Sequence, residues 1–407
     1  MTKRPTNLKR SAVSACIALS LACAGPAAAQ FSGDVIKVGF LTDISGVYSD
    51  NDGQGGVEAI RMAVQDFGAI DGKKVEFVYA DHLNKVDVAS AKAREWFDRD
   101  GLDMLVIGAN SGAALALAKL AAEKKKPLIA VTAATARLTN EECTPYTVAY
   151  AYDTVSVARG TAGAIADAGG LDWFFLTADY AFGTSLEKDA TEVIKAKGGR
   201  VLGSVKHPVG TAPNFSALLL QAQASKAKIL GLATSGDDFI NAVKVANEFG
   251  VNKTMNLAAV LTHIPEIHAL GLNLTQGLYL TDGWYWDQDD ASRAWAKRYF
   301  DKMQKMPGAM QAADYSAVTT YLKAVKAAGT DDGDKVMATL KSTTISDMYT
   351  KSGMIRPDGR MVYDMYLRQV KSPSESKYPW DYYRTIKTIP GEEAFTKKSE
   401  TKCALWK

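Results

Sequence analysis

The sequence predicts an α/β protein built as two Rossmann-like lobes joined by a multi-crossover hinge, and three observations predict it. Short apolar strands alternate with helices of about 10 to 15 residues from Val35 onward, the pattern of parallel βαβ units. The series restarts after Tyr152-Asp153 with the same order of elements, which favours two similar lobes over one long sheet. At 407 residues the chain exceeds what one hydrophobic core usually organises. Open sheets of this kind take small ligands at the carboxyl ends of their strands, so polar loops there are the first candidates for function.

Lys3, Arg4, Lys9 and Arg10 precede an apolar run from Ser11 to Gly25, and Ala27-Ala28-Ala29 stands before Gln30. Residues 1–29 therefore read as a signal peptide cleaved before Gln30, which directs the protein to the periplasm. Lipoprotein processing at Cys16 or Cys23 is the alternative. Removing that segment takes the 48 Lys and Arg down to 44 against 45 acids. The basic excess thus belongs to the leader, and no nucleic-acid partner is expected. Two cysteines remain, Cys143 and Cys403. In an oxidising compartment they are expected to be bonded, with two separate thiols as the alternative.

Val35 to Leu41 reads as a buried strand and Asp52 to Phe67 as a helix with Val57, Ile60, Ala63, Val64 and Phe67 on one face. Strand 75–79, helix 86–98 capped by Asp87, strand 104–107, helix 113–123 and strand 128–131 follow. The second series reads as helix 155–168, strand 173–176, helix 184–196, strand 201–206, a helix capped by Asn214, strand 229–233, helix 238–249 and strand 256–260. Helices are expected at 291–303, 312–328 and 334–341, then short strands around Pro357-Asp358-Gly359. The expected division is residues 30–152 with 284–345 in lobe 1, 153–283 with 346–390 in lobe 2, and a tail at 391–407. Parallel crossovers between lobes make a hinge.

Several segments, in this order, carry a resemblance: Val38-Gly39-Phe40-Leu41-Thr42-Asp43 with Ser45-Gly46, Tyr79-Ala80-Asp81, Val106-Ile107-Gly108 with Ser111, and Ala133-Ala134-Thr135. Asp179-Tyr180-Ala181-Phe182-Gly183 and Asp314-Tyr315-Ser316-Ala317-Val318 complete the set. Over nearly the whole chain after the leader, the sequence resembles the type I periplasmic solute-binding proteins of ABC importers, most closely the leucine/isoleucine/valine-binding branch. The resemblance implies a ligand held between the lobes and a closed form presented to a membrane permease, with no chemistry on the solute. A monomer is expected, and no cofactor.

Loop 109–112 opens directly into a helix, whose unpaired N–H groups, with the Asn110 and Ser111 side chains, suit a carboxylate. Loop 132–135, with Ala133 and the Thr135 hydroxyl, should lie beside it, and both match the family's carboxylate-holding loops; ordinary helix capping is the competing explanation. Phe182 stands where the family often places an aromatic cover, with Tyr180 as the fallback if the register slips. Amino-acid binders of the family also use a second-lobe acid to pair with the ligand ammonium. Here Val260-Leu261-Thr262-His263-Ile264-Pro265 holds none until Glu266, expected inside the next helix, and Asp237 is the substitute. An unpaired buried ammonium costs several kcal/mol. Tyr48, Tyr152, His263 and Trp284 would add aromatic and hydrogen-bonding surface, so the expected ligand is an aromatic or hydroxy-aromatic acid. A branched-chain amino acid is the alternative, and a ligand sensor that docks a receptor is the third reading.

Enzyme motifs are missing from the sequence: it holds no G-x-S-x-G elbow, Walker loop or H-E-x-x-H. Glu58 breaks the dinucleotide pattern begun at Gly53, and His263 and His268 are wrongly spaced, with Pro265 between them, for a metal on one helical face.

Overall fold

The computed structural model describes residues 1–2, 31–211 and 214–407. The expected signal segment, its cleavage point and the alternatives at Cys16 and Cys23 fall in residues 3–30, outside the described residues. The first sheet contains β1 (Val35–Thr42), β2 (Lys74–Asp81), β3 (Met104–Ile107), β4 (Leu128–Ala130) and β5 (Thr147–Ala149), in the order β2-β1-β3-β4-β5 and parallel throughout. The central β3 is buried along its whole length, whereas the edge strand β2 is part exposed. That contrast is why β3 reads as an unbroken apolar run. Helices α1 (Gly53–Phe67), α2 (Val86–Asp98) and α3 (Ser111–Lys124) make the crossovers. Lys85 occupies the cap position of α2, and Asp87 lies in its first turn rather than capping it.

The second series begins with α4 (Thr154–Val157), a π turn at Ala158–Ala162 and α5 (Gly163–Asp167), where the sequence reads as one helix. There follow β6 (Asp172–Ala178), α6 (Ala181–Ala196), β7 (Arg200–His207), α7 (Phe215–Ala224), β8 (Ile229–Ala233), α8 (Asp237–Glu248) and β9 (Asn256–Ala259). These strands form a second parallel sheet, β7-β6-β8-β9. The π turn packs on β10 (Tyr279–Asp282), where the Thr161 and Thr281 hydroxyls pair at 2.9 Å. A Cβ on Gly160 would sit 2.1 Å from the Thr281 oxygen, so the close approach needs glycine.

After α9 (Ile264–Leu270) and α10 (Leu272–Thr275), helices α11 (Asp290–Met303), α12 (Ala309–Ala328) and α13 (Gly333–Ser342) return to the first lobe, where α12 packs along α1. The late strands divide. Strands β14 (Met365–Val370) and β15 (Tyr383–Ile389) extend from β10 as an antiparallel sheet. Before them, β11 (Thr344–Ile345), β12 (Gly353–Ile355) and β13 (Met361–Val362) pair with one another. Arg360 bridges to Ala149, so this small sheet lies against the first lobe instead of entering the second. Cys143 and Cys403 form a disulfide with a Cα–Cα distance of 5.8 Å, which pins residues 391–407 beside the first lobe. Among the described residues no helix is long and apolar enough to cross a membrane.

Candidate functional site

The loops that follow β1, β3, β4, β6, β8 and β9 converge on a small, tightly closed cavity between the two sheets. From the first lobe its wall takes Tyr48, Asn51, Ala109, Asn110, Ser111, Thr132, Ala133, Ala134 and Tyr152. The second contributes Tyr180, Phe182, Ser235, Leu261 and His263.

The loop after β1 is shaped by two carboxylates. Asp43 accepts the Gly46 and Tyr48 amides at 2.9 and 3.0 Å, and Asp81 accepts the Ile44 amide and the Ser45 hydroxyl at 3.1 and 2.6 Å. A Cβ on Gly46 would lie 2.5 Å from Asp43 Oδ1. These contacts give a structural reason for Asp43, Gly46 and Asp81 and bring Tyr48 to the cleft.

Asn110, with φ 79°, occupies the cap position of α3 and its Oδ1 accepts the Ala113 amide at 2.9 Å. Its Nδ2 is spent on Asn84, 2.9 Å from the carbonyl and 2.7 Å from Oδ1. Asn110 thus aims the helix, and its side chain is committed to protein. The Ser111 oxygen accepts the Thr135 amide at 3.2 Å, which leaves its proton for another acceptor. The amides of Ser111, Gly112, Ala133 and Ala134 have no protein acceptor among the described residues. Together with the partial positive charge at the start of a 14-residue helix, they suit an anion. Thr135 does not line the cavity, because its hydroxyl turns away to Ser185 at 2.9 Å.

Below this loop, Thr132 donates to Asp52 at 2.9 Å, and Thr42 does so at 3.0 Å. The Asp52 and Asp314 carboxyls meet beside Gly56, where a Cβ would lie 2.3 Å from one and 2.8 Å from the other. Both are fully buried. Burial and the neighbouring charge hold Asp314 well above the ordinary carboxylate range, so it keeps its proton and donates to Asp52.

Across the cleft, Gly183 lets the first turn of α6 sit on the end of β6: a Cβ there would be 2.1 Å from the Ala178 carbonyl. Tyr180 and Phe182 are thereby both turned inward, their rings 5.8 Å apart. The Tyr180 hydroxyl donates to that of Tyr48 at 2.8 Å, one of several contacts that bridge the lobes. Others run from Asn51 Nδ2 to Ser235 and Glu266, each 3.1 Å, and from the Asp237 amide to the Val47 carbonyl at 3.1 Å. The lobes are therefore closed.

Glu266 lies one layer behind the wall and is 1% exposed. One oxygen accepts from Asn51, Ser235 and the Gly236 amide; the other accepts from Thr262 and the His263 amide, each at 2.7 Å. Five protein donors occupy both oxygens. Asp237 is exposed and does not line the cavity, so it supplies no charge there. Trp284 is buried beside a neighbouring cavity and not this one. His263 is held neutral by burial, which lowers its pKa against the opposing pull of Glu266. Its ring meets Tyr152 edge-on at 5.7 Å and makes no protein hydrogen bond among the described residues. Asn51 Oδ1 is a buried acceptor with no hydrogen-bond partner among the described residues.

A family model described as periplasmic binding protein matches residues 35–377. The chain belongs to that family. A periplasmic binding protein from Burkholderia mallei has 63% identity over 92% of this chain and 100% of its own, with a TM-score of 0.91. A branched chain amino acid ABC transporter periplasmic ligand-binding protein from Burkholderia xenovorans LB400 has 40% identity, covering 91% and 100%, with a TM-score of 0.81. A solute binding protein of an ABC transporter from Rhodopseudomonas palustris BisB5, in complex with 3,4-dihydroxy benzoic acid, shares the fold at 22% identity, covering 88% and 98%, with a TM-score of 0.79. No curated protein matches the chain. This periplasmic binding protein is thus a type I substrate-binding protein of an ABC transporter, and its cavity lies at the interlobe cleft of that fold.

Asn51, Thr132, Ser235 and Leu261 line the cavity without having been singled out by sequence reasoning. One local signal was available for Glu266: it stands three residues after His263, the spacing at which an N3 acid reaches back to the cap amide.

Proposed function

We propose that the protein delivers a small carboxylate with a neutral far end, an aromatic or hydroxy-aromatic acid, to its permease. The observation that carries this reading is the absence of any charged side chain from the described cavity wall, with the nearest acid, Glu266, saturated by protein donors. An ammonium there would find no free carboxylate. A carboxylate would meet the amides of Ser111, Gly112, Ala133 and Ala134 and the Ser111 hydroxyl. The ring would lie among Tyr48, Tyr180 and Phe182, and a far hydroxyl would donate to Asn51 Oδ1 or meet neutral His263. The Rhodopseudomonas complex with a dihydroxybenzoic acid supports this class.

A branched-chain amino acid is the second reading, favoured by the buried charge of Glu266 just behind Asn51 and Ser235 and by the description of the Burkholderia xenovorans relative. A thermal-shift screen of refolded protein against benzoate, 4-hydroxybenzoate, leucine, isoleucine and valine separates the two. A ligand at 100 times its Kd adds about 2.7 kcal/mol of stability. Shifts are expected with the aromatic acids and reduced in Ser111→Ala and His263→Ala. Shifts confined to the amino acids would transfer the assignment to the second reading.

A further inference from the structure

At the pole of the second lobe away from the ligand cleft, the amino ends of β9 and β10 border an open cavity of about 460 Å³, which the proposed function leaves unused. The two strands lie side by side without sharing a ladder: β9 ends the parallel sheet β7-β6-β8-β9, and β10 begins the antiparallel sheet β10-β14-β15. Two sheet edges therefore face one space.

Their backbone groups are turned into it. The Asn256 amide is spent on the Lys228 carbonyl at 2.8 Å, on the β8 side, and alternation along the strand then points the amide and carbonyl of Leu257 outward. On the other border the Leu278 carbonyl accepts the Val370 amide at 2.9 Å, so Tyr279 turns its amide and carbonyl away from β14. Among the described residues no backbone partner meets Leu257 or Tyr279 on the cavity side.

The other outer edges of the three larger sheets are guarded. Strand β2 carries Lys74 and Glu76, β7 carries Arg200 and Lys206, and β15 carries Arg384 and Lys387, while residues 359 and 360 cover β5. Charge and cover are the usual means of keeping a strand edge from pairing with another chain. Edge β9 reads Asn-Leu-Ala-Ala, and the one charge on β10, Asp282, is bound to Arg368 at 2.6 Å. The cavity between them has apolar Ile165, Val243, Met255 and Leu274 in its wall, amide side chains at Asn247, Asn256, Asn273 and Gln276, and no charged side chain.

We propose that this gap is a binding site for an extended, uncharged segment of another protein, which adds as a strand between β9 and β10. Backbone pairing on both sides would supply affinity, and alternate side chains of the guest would meet the apolar wall. The lining takes residues 256–258 from one edge and 277–279 from the other, so about three residues of the guest, roughly 10 Å, would be paired. The assignment does not depend on which ligand the interlobe cleft takes.

Fluorescence anisotropy tests it, with refolded protein and a fluorescein-labelled Ser-Val-Thr-Val-Ser-Val-Thr amide, and with the same peptide N-methylated at its three valines. Wild type should bind the first peptide saturably. Binding should be about tenfold weaker or worse with the methylated peptide, which lacks backbone donors, and in Asn256→Lys, which gives this edge the charge that the others carry. That variant should melt with wild type, because Asn256 is exposed and its side chain makes no hydrogen bond among the described residues. No saturable binding up to about 1 mM peptide, or equal binding of the two peptides, would overturn the proposal. A concentration-dependent dimer in sedimentation that Asn256→Lys abolishes would give the gap to a second copy of this chain and overturn it as well.

Discussion

Both oxygens of Glu266 are engaged by donors from three segments of chain, so changing that one residue disturbs Asn51, the 235–236 loop and the start of α9 together. Glu266→Gln turns one oxygen into an amide group that faces donors, and a loss of about 1–3 kcal/mol in unfolding free energy is expected by denaturant titration. At Asp314 the sign of the pH effect follows from its raised pKa. Below pH ~3.8 the carboxyl is protonated in both folded and unfolded chains. As pH rises the unfolded chain ionises first, the folded chain then binds more protons, and stability falls until the folded group titrates. Asp314→Asn keeps a donor for Asp52 without needing a proton, so its melting temperature should decline less than wild type between about pH 4 and 8. The residues hardest to read in the sequence are those whose role depends on a distant partner. Thr135 has the right type and neighbourhood, but only the fold shows its hydroxyl committed to Ser185. Asn51 reads as a residue in a turn before a helix, yet it reaches Ser235 and Glu266 across the cleft.

Strands and helices were legible wherever apolar periodicity ran long enough, as in β1, α1 and β8, whose burial follows the apolar positions. Strand β5, three residues long, carries too few positions to show a period. The π turn between α4 and α5 has no compositional mark, since it answers to the approach of Thr281. A bond between Cys143 and Cys403 closes a loop of 260 residues, which places its stabilisation toward the upper part of the usual ~2–4 kcal/mol. The double variant Cys143→Ser with Cys403→Ser should melt several degrees lower while keeping its ligand affinity, because neither residue lines the cavity. A calorimetric scan and a ligand titration of that variant check the two halves separately. A loss of affinity equal to the loss of stability would mean that the tail also positions the lobes.

Ligand capture depends on the difference between open and closed arrangements, so contacts that exist only on closure set the response. Gly236 is one such position: with φ +68°, it would place a Cβ 2.2 Å from the Val47 carbonyl of the opposite lobe. Gly236→Ala should weaken ligand binding at least about tenfold, and X-ray scattering should show no ligand-induced decrease in radius of gyration. The restart of the βα series after Asp153 shows two lobes in the sequence. The route of the late strands does not, because pairing between β10, β14 and β15 joins segments far apart in the chain. The central claim concerns a neutral-walled cleft that holds a carboxylate. Its most direct test is isothermal titration of the refolded, ligand-free protein with 4-hydroxybenzoate and, separately, L-leucine. The account predicts saturable binding of the aromatic acid, with a Kd of about micromolar or tighter, and no heat of binding from leucine. Tight binding of leucine with none of 4-hydroxybenzoate would contradict it and return Glu266 to the role of ammonium partner.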